Sequence, residues 1–165
     1  MFKKFYPDYK FSRTADIPDS FFTDNNIRFA VLDIDNTLVP YTSPLPDEEA
    51  RSFLQRLKSL GVKYCFVSNN DEERVKLFCD DLGESEYIAK AGKPFARKIK
   101  RAMWRMGAEK SNTVLIGDQV FTDVYGAKRA GILAVMVDPL EAKETPFFGL
   151  KRKMEKIVLK NYKPQ

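Results

Sequence analysis

Short apolar runs alternate along this chain with longer stretches in which apolar residues recur every three or four positions. Positions 29–34, 62–67 and 132–137 are apolar runs of strand length, and 87–89 and 113–116 are shorter versions of the same pattern. Between them, the segments 46–60, 71–82, 94–106 and 122–130 carry helical periodicity, with Ala96, Ile99, Met103 and Met106 on one face of the third. Punctuation agrees with these bounds. Pro46 stands near one helix start, Asn69 or Asn70 is placed to cap another, and Gly61, Gly83 and Gly131 follow the apparent ends. Strands separated by helices predict βαβ units, hence an α/β fold whose parallel sheet is covered on both faces.

A length of 165 residues suits one domain, and 44% apolar with 31% charged residues is ordinary for a globular protein. The expected organisation is an N-terminal extension over 1–27, a domain over 28–142 and a basic C-terminal helix within 143–165. No apolar run approaches the roughly 18 residues of a membrane span. The aromatics and lysines of the first eleven residues include no continuous apolar segment of a secretory signal, so a cytoplasmic location is expected. Histidine is absent, which argues against histidine-ligated zinc and Ser-His-Asp chemistry. Cys65 and Cys79 lie in an apolar run and a helical segment without partners at metal-ligand spacing, and read as reduced core thiols. The seven basic and two acidic residues from Lys143 onward account for the whole net charge of +5.

In parallel sheets, chemistry gathers where strands end and helices begin. The first apolar run closes with Asp33-Ile34-Asp35-Asn36-Thr37 and the second with Ser68-Asn69-Asn70. The third is followed by Gly92-Lys93-Pro94, and the fourth by Gly117-Asp118 and then Thr122-Asp123. Taken singly, Ser68-Asn69-Asn70 is as well explained by a helix cap, Lys93 by a solvated surface and Gly117-Asp118 by a turn. None of those readings explains aspartates, a hydroxyl and a lysine at four successive strand ends. Crowded carboxylates repel one another, and a hard divalent cation such as Mg²⁺ relieves that repulsion. A phosphoryl group beside them needs the donors that Ser68, Lys93 and backbone N–H groups supply.

The order DxDxT, Ser, Lys, GDxxxTD resembles the phosphatases of the haloacid dehalogenase (HAD) superfamily over residues 28 to 138. The resemblance implies a Rossmann-like, doubly wound parallel sheet, Mg²⁺ as cofactor and an aspartyl-phosphate intermediate. It makes Asp33 the nucleophile and a metal ligand, and Asp35 the general acid and base as well as a ligand through its carbonyl. Ser68, Asn69 and Lys93 then bind phosphate, and Asp118 completes the metal ligands. Thr37, Thr122 and Asp123 support them, with Asp123 acting through water or by anchoring Lys93.

The 35 positions from Asp33 to Ser68 and the 25 from Ser68 to Lys93 leave no room for a cap domain, so an open site and a large or surface-presented substrate are expected. The capless spacing and the pattern VLDIDNTLVPY…VSNN…GKP resemble subclass IIIA, and within it a bacterial group related to mitochondrial phosphatidylglycerophosphate phosphatases. That implies a phospholipid substrate and a peripheral location at the inner membrane face. Leu150, Met154, Ile157, Val158 and Tyr162 recur at helical spacing among Lys151, Arg152, Lys153, Lys156 and Lys160. This suits a helix lying on anionic lipid, or equally one packing its apolar stripe on its own domain. Soluble sugar or nucleotide phosphates, and a non-catalytic RNA- or protein-binding module, are the alternatives; no RNA-binding motif accompanies the basic tail.

Overall fold

All five expected runs become strands of one parallel sheet, and a sixth strand joins them. The computed structural model describes residues 2–141 and 145–163, so the expected boundary at 142–143 lies outside the described residues. The elements are β1 (Tyr9–Phe11), α1 (Asp19–Asp24), β2 (Phe29–Leu32), α2 (Glu48–Ser59), β3 (Lys63–Val67), α3 (Glu72–Leu82), β4 (Tyr87–Ile88), α4 (Ala96–Met106), β5 (Thr113–Gly117), α5 (Tyr125–Ala130), β6 (Leu133–Val137) and α6 (Pro146–Leu159). The strand order is β1-β6-β5-β2-β3-β4, with every pairing parallel.

The central strands are apolar on both faces because both faces are covered. Ala30 and Leu32 of β2 point into one cluster with Phe53 and Leu57 of α2 and Phe78 of α3. Val31 points into the other, with Ile99 of α4, Ala127 of α5 and Val158 of α6. Cys65 and Cys79 are free and fully buried, one in each cluster, and burial pushes both thiols up to about 12. Within the expected N-terminal extension, the described residues 2–27 are not an appendage. β1 pairs with β6, and Ile17, Phe21 and Phe22 are buried in the first cluster.

Two local expectations change. The helix after β3 is capped by Asp71, whose carboxylate accepts from the Arg74 N–H at 2.9 Å, so Asn69 and Asn70 are released for other contacts. The helix expected over 122–130 begins with a wide π-type turn at Val120–Val124, and regular α-helix starts only at Tyr125. Only α2 and β3 lie between Asp33 and Ser68, and only α3 and β4 between Ser68 and Lys93. No cap domain is present among the described residues, nor is any helix long and apolar enough to cross a membrane.

Candidate active site

From β2 the chain runs outward to β3 and β4, then returns to place β5 and β6 on the opposite side of β2, where β6 pairs with β1 at the sheet edge. The carboxyl ends of β2, β3 and β5 therefore meet at a topological switch point, where a crevice opens in sheets of this kind. Asp33 continues β2 by one residue, its N–H donating to the Ile116 carbonyl of β5 at 3.0 Å. Ser68 likewise continues β3, its N–H donating to the Ile88 carbonyl of β4 at 3.0 Å. The backbones of both residues are thus fixed by the sheet ladder.

Asp33, Asp118 and Asp123 are buried, and each offers a carboxylate oxygen within 4.8 Å of the other two. Lys93 enters this cluster from the loop after β4. Its ammonium lies 2.7 Å from Asp33 Oδ1 and 2.7 Å from Asp123 Oδ1. The Thr37 hydroxyl donates to Asp33 Oδ2 at 3.1 Å and approaches Asp118 Oδ1 at 3.4 Å. Burial raises Asp33 to about 6, with Lys93 opposing the rise and Asp123 adding to it. Burial raises Asp118 to about 8, reinforced by Asp33 and Asp123 and opposed by Arg152. Burial works against the charge of Lys93, but Asp123 and Asp33 outweigh it and hold the ammonium above the ordinary lysine range. Three carboxylates crowded in a buried site resist carrying charge together, and a hard divalent cation, which suits their oxygen donors, would relieve that resistance.

Asp123 can sit there because Gly117 has no side chain. A Cβ at Gly117 would lie 2.4 Å from Asp123 Cγ. The π-type turn delivers Asp123 to that spot, and the Gln119 N–H donates to its Oδ2 at 3.1 Å. Asp123 therefore anchors Lys93 directly.

The other predicted residues take distinct places. Ser68 is buried, lines the cavity and accepts from the Asn70 N–H at 3.1 Å. Asn69 also lines the cavity, but its amide clamps the Lys93 backbone from both sides, accepting from the N–H at 2.8 Å and donating to the carbonyl at 3.1 Å. Thr122 donates to the Gln119 side-chain oxygen at 3.3 Å. The Asp35 carboxylate stands apart from the three-aspartate cluster. It accepts from Arg74 at 2.8 Å and from Asn70 Nδ2 at 2.9 Å, and it faces the same cavity. Asn36, in the left-handed region at φ 63°, turns the chain between Asp35 and Thr37.

Several contributors were not foreseen. Arg74 ties Asp35 to the loop before α2 through the Ser43 and Pro44 carbonyls, at 2.8 and 2.7 Å. More consequential is α6. Buried Glu155 accepts from the Val120 N–H at 3.0 Å and pairs with Arg152 at 2.8 Å, while Arg152 also pairs with Asp118. Phe147, Phe148, Lys151 and Arg152 line one side of a cavity of about 270 Å³ whose other side holds Asp33, Asp35 and Ser68. Lys151 and Arg152, grouped above with the lipid-facing tail, thus turn inward. Of the predicted apolar stripe, Val158 is buried and Tyr162 partly so, whereas Leu150, Met154 and Ile157 are 59%, 49% and 67% exposed, and Phe147 before them is 72% exposed. The helix docks through Glu155 and Val158 and leaves an apolar stripe in solvent. The spacing of Arg152 and Glu155, three residues apart, was the one sequence sign of an inward polar edge.

Residues 41–131 match the family model for haloacid dehalogenase-like hydrolase, a span that takes in Ser68, Lys93, Asp118 and Asp123. The chain is 34% identical over 160 residues to "Probable phosphatase YqeG" of Bacillus subtilis (strain 168), covering 96% of this chain and 92% of that one. It is 28% identical over 142 residues to phosphatidylglycerophosphate phosphatase 1, chloroplastic/mitochondrial, of Arabidopsis thaliana, covering 80% of this chain but only 40% of that protein. It also matches a glyceraldehyde 3-phosphate phosphatase of Pyrococcus abyssi, of which it spans 53%. Among solved structures, the 3-deoxy-D-manno-octulosonate 8-phosphate phosphatase of Moraxella catarrhalis, in complex with magnesium, phosphate and sugar, superposes with a TM-score of 0.55. The identity there is 19%, over 86% of this chain and 91% of that one, and the likeness is one of fold.

Proposed function

The chain belongs to the haloacid dehalogenase-like hydrolase family and is a phosphatase of phosphoric monoesters, and from that premise we propose that it is magnesium-dependent, attacks through Asp33, and takes a substrate presented at a lipid surface, phosphatidylglycerophosphate or a close chemical relative. The observation that carries the chemistry is the meeting of Asp33, Lys93, Asp118 and Asp123 at the switch point of the sheet.

In this reading a carboxylate oxygen of Asp33 attacks phosphorus, the bond to the substrate alcohol breaks, and Asp35 supplies the proton to the leaving oxygen. Water then attacks the aspartyl-phosphate, Asp35 takes up a proton, and the bond to Asp33 breaks to release inorganic phosphate. Asp33 and Asp118 are the carboxylates that would hold magnesium, which when bound neutralises charge on the phosphoryl group. Thr37 and Lys93 fix the nucleophile, and Asn69 and Asp123 fix Lys93.

The lipid reading is supported by the outer surface of α6. Phe147, Leu150, Met154 and Ile157 form an exposed stripe, and Lys153, Lys156 and Lys160 are exposed along one flank. An apolar stripe edged by lysines matches helices that lie in the headgroup region of anionic bilayers. Its first turn also borders the cavity, so a bilayer against this face would lie at the mouth of the site.

The test measures phosphate release from phosphatidylglycerophosphate in anionic vesicles and from p-nitrophenyl phosphate in solution. Chelation should stop both reactions, and Mg²⁺ should restore them. Reversing Lys153, Lys156 and Lys160 to Glu should weaken vesicle binding by on the order of a hundredfold at low salt, at roughly 1 kcal/mol per lysine, without loss of the soluble activity. Full turnover by metal-stripped protein would refute the metal assignment. Unchanged vesicle hydrolysis in the charge-reversed protein would refute the lipid surface and leave a phosphatase of soluble esters.

A further inference from the structure

The cations around the cavity are not equivalent. Lys93 is paired with Asp33 and Asp123, Arg74 with Asp35, and Arg152 with Asp118 and Glu155. Lys151 faces the same cavity and makes no ion pair among the described residues. Its ammonium donates instead to the side-chain oxygen of Gln119, a neutral acceptor held in turn by Thr122. Lys151 is only partly exposed, with the rings of Phe147 and Phe148 bordering the cavity beside it. A partly buried ammonium with no counter-charge is unfavourable by itself, and it becomes favourable when an anion arrives. Gln119 keeps it aimed into the cavity without neutralising it. Burial, the largest influence, also holds this lysine below its ordinary range and outweighs the attraction of Glu155, Asp123 and Asp118, none of which forms an ion pair with it.

We propose that Lys151 forms a second anion site beside the reaction centre, so that the preferred substrate is a phosphate monoester whose alcohol carries another negative group a few bonds away. A phosphodiester or a second phosphate has the required charge and oxygen acceptors. The scissile phosphate lies against Asp33, Ser68 and Lys93, and the second group lies against Lys151 at the α6 side of the same cavity. This site deepens the phosphatase reading and rests on it. It also separates two faces of α6, since Lys151 reads the substrate while Lys153, Lys156 and Lys160 point away from the cavity.

The experiment compares glycerol 3-phosphate with glycerol 1,3-bisphosphate, which differ only in the second phosphate, for the unaltered protein, Lys151→Met and Lys151→Arg. A third arm uses phosphatidylglycerophosphate in phosphatidylcholine vesicles, so that a lipid phosphodiester and a free phosphate are read separately. The unaltered protein should prefer the bisphosphate by about tenfold or more in kcat/KM, expressed mainly in KM. Lys151→Met should collapse that preference at least tenfold, and Lys151→Arg should restore most of it. A rate in the vesicle arm that also depends on Lys151 assigns the site to a lipid headgroup, and a dependence seen only in solution assigns it to a free phosphate. Calorimetric binding of the bisphosphate to Asp33→Asn protein, with and without the added Lys151→Met substitution, reads the site without turnover. An unchanged preference in a folded Lys151→Met protein, or an equal loss on both soluble esters, would overturn the second site. Release of phosphate from none of the esters by the unaltered protein would instead overturn the phosphatase reading beneath it.

Discussion

Adding a single methyl group at Gly117 should damage the site through Asp123, the one member of the acidic cluster that it would meet. In Gly117→Ala the new Cβ would stand 2.4 Å from Asp123 Cγ and 2.5 Å from its Cβ and Oδ2. Carbon contacts are comfortable only at about 3.5–4.0 Å, so Asp123 must retreat by roughly 1 Å. It is not free to do so. Oδ1 is paired with Lys93 at 2.7 Å, and Oδ2 accepts from the Gln119 N–H at 3.1 Å. Overfilling a packed site of this kind costs about 1–3 kcal/mol, which for a chain of this length lowers Tm by roughly 2–12 °C. If Asp123 gives way, Lys93 loses one of its two carboxylates and shifts against Asp33, and a misplacement near 1 Å costs on the order of a hundredfold in rate. Thermal unfolding and kcat for a soluble ester measure both effects on one preparation. In an Asp123→Gly background all three of those atoms are gone, so the effect of the added methyl on Tm should shrink markedly, a non-additivity that contact between the two residues produces. Unaltered Tm and kcat in Gly117→Ala would refute the close approach, and with it the role of Asp123 as the anchor of Lys93.

Two further outcomes follow from residues already placed. Asp33→Asn should keep its fold and lose about a thousandfold or more in turnover, at least ~4 kcal/mol of barrier, because an amide is a poor nucleophile; a folded variant with near-normal turnover would remove Asp33 from the covalent role. Both cysteines should resist a thiol reagent at pH 8 in the native protein and react fully in denaturant, since each is buried with its pKa raised to about 12; fast labelling of the native protein would contradict that burial.

The parts of the molecule legible in the sequence are those with a local or repeated cause. A central parallel strand is buried on both faces, so 29–34 and 62–67 announce themselves as apolar runs, interrupted only by Asp33 and Lys63. Asp33, Ser68, Lys93 and Asp118 were visible because each closes a strand or opens the loop after one. β1 escaped because three residues, with a lysine in the middle, leave no period to detect. The inward turn of α6 escaped because Glu155 meets Val120 and Arg152 meets Asp118 across more than thirty positions, contacts that no helical wheel can show. The wheel marked the apolar stripe as the side to bury. A polar pair and Val158 were buried instead, and most of the stripe stayed outside. Asp71 caps α3, and Asn69 and Asn70 engage Lys93 and Asp35 instead, contacts that a local turn signal does not reveal.

The pairing of β1 with β6 sets an order of events during synthesis. Tyr9 lies opposite Val135, and ion pairs join Asp8 to Lys128 and Lys10 to Asp138, so nearly the whole chain separates the partners. Closing so long a loop is entropically unfavourable and delays the contact that stabilises it. On the ribosome, where residues emerge at about 5–20 per second, the segment around Tyr9 must wait many seconds for its partner strand. The first strand to be made is among the last to be placed.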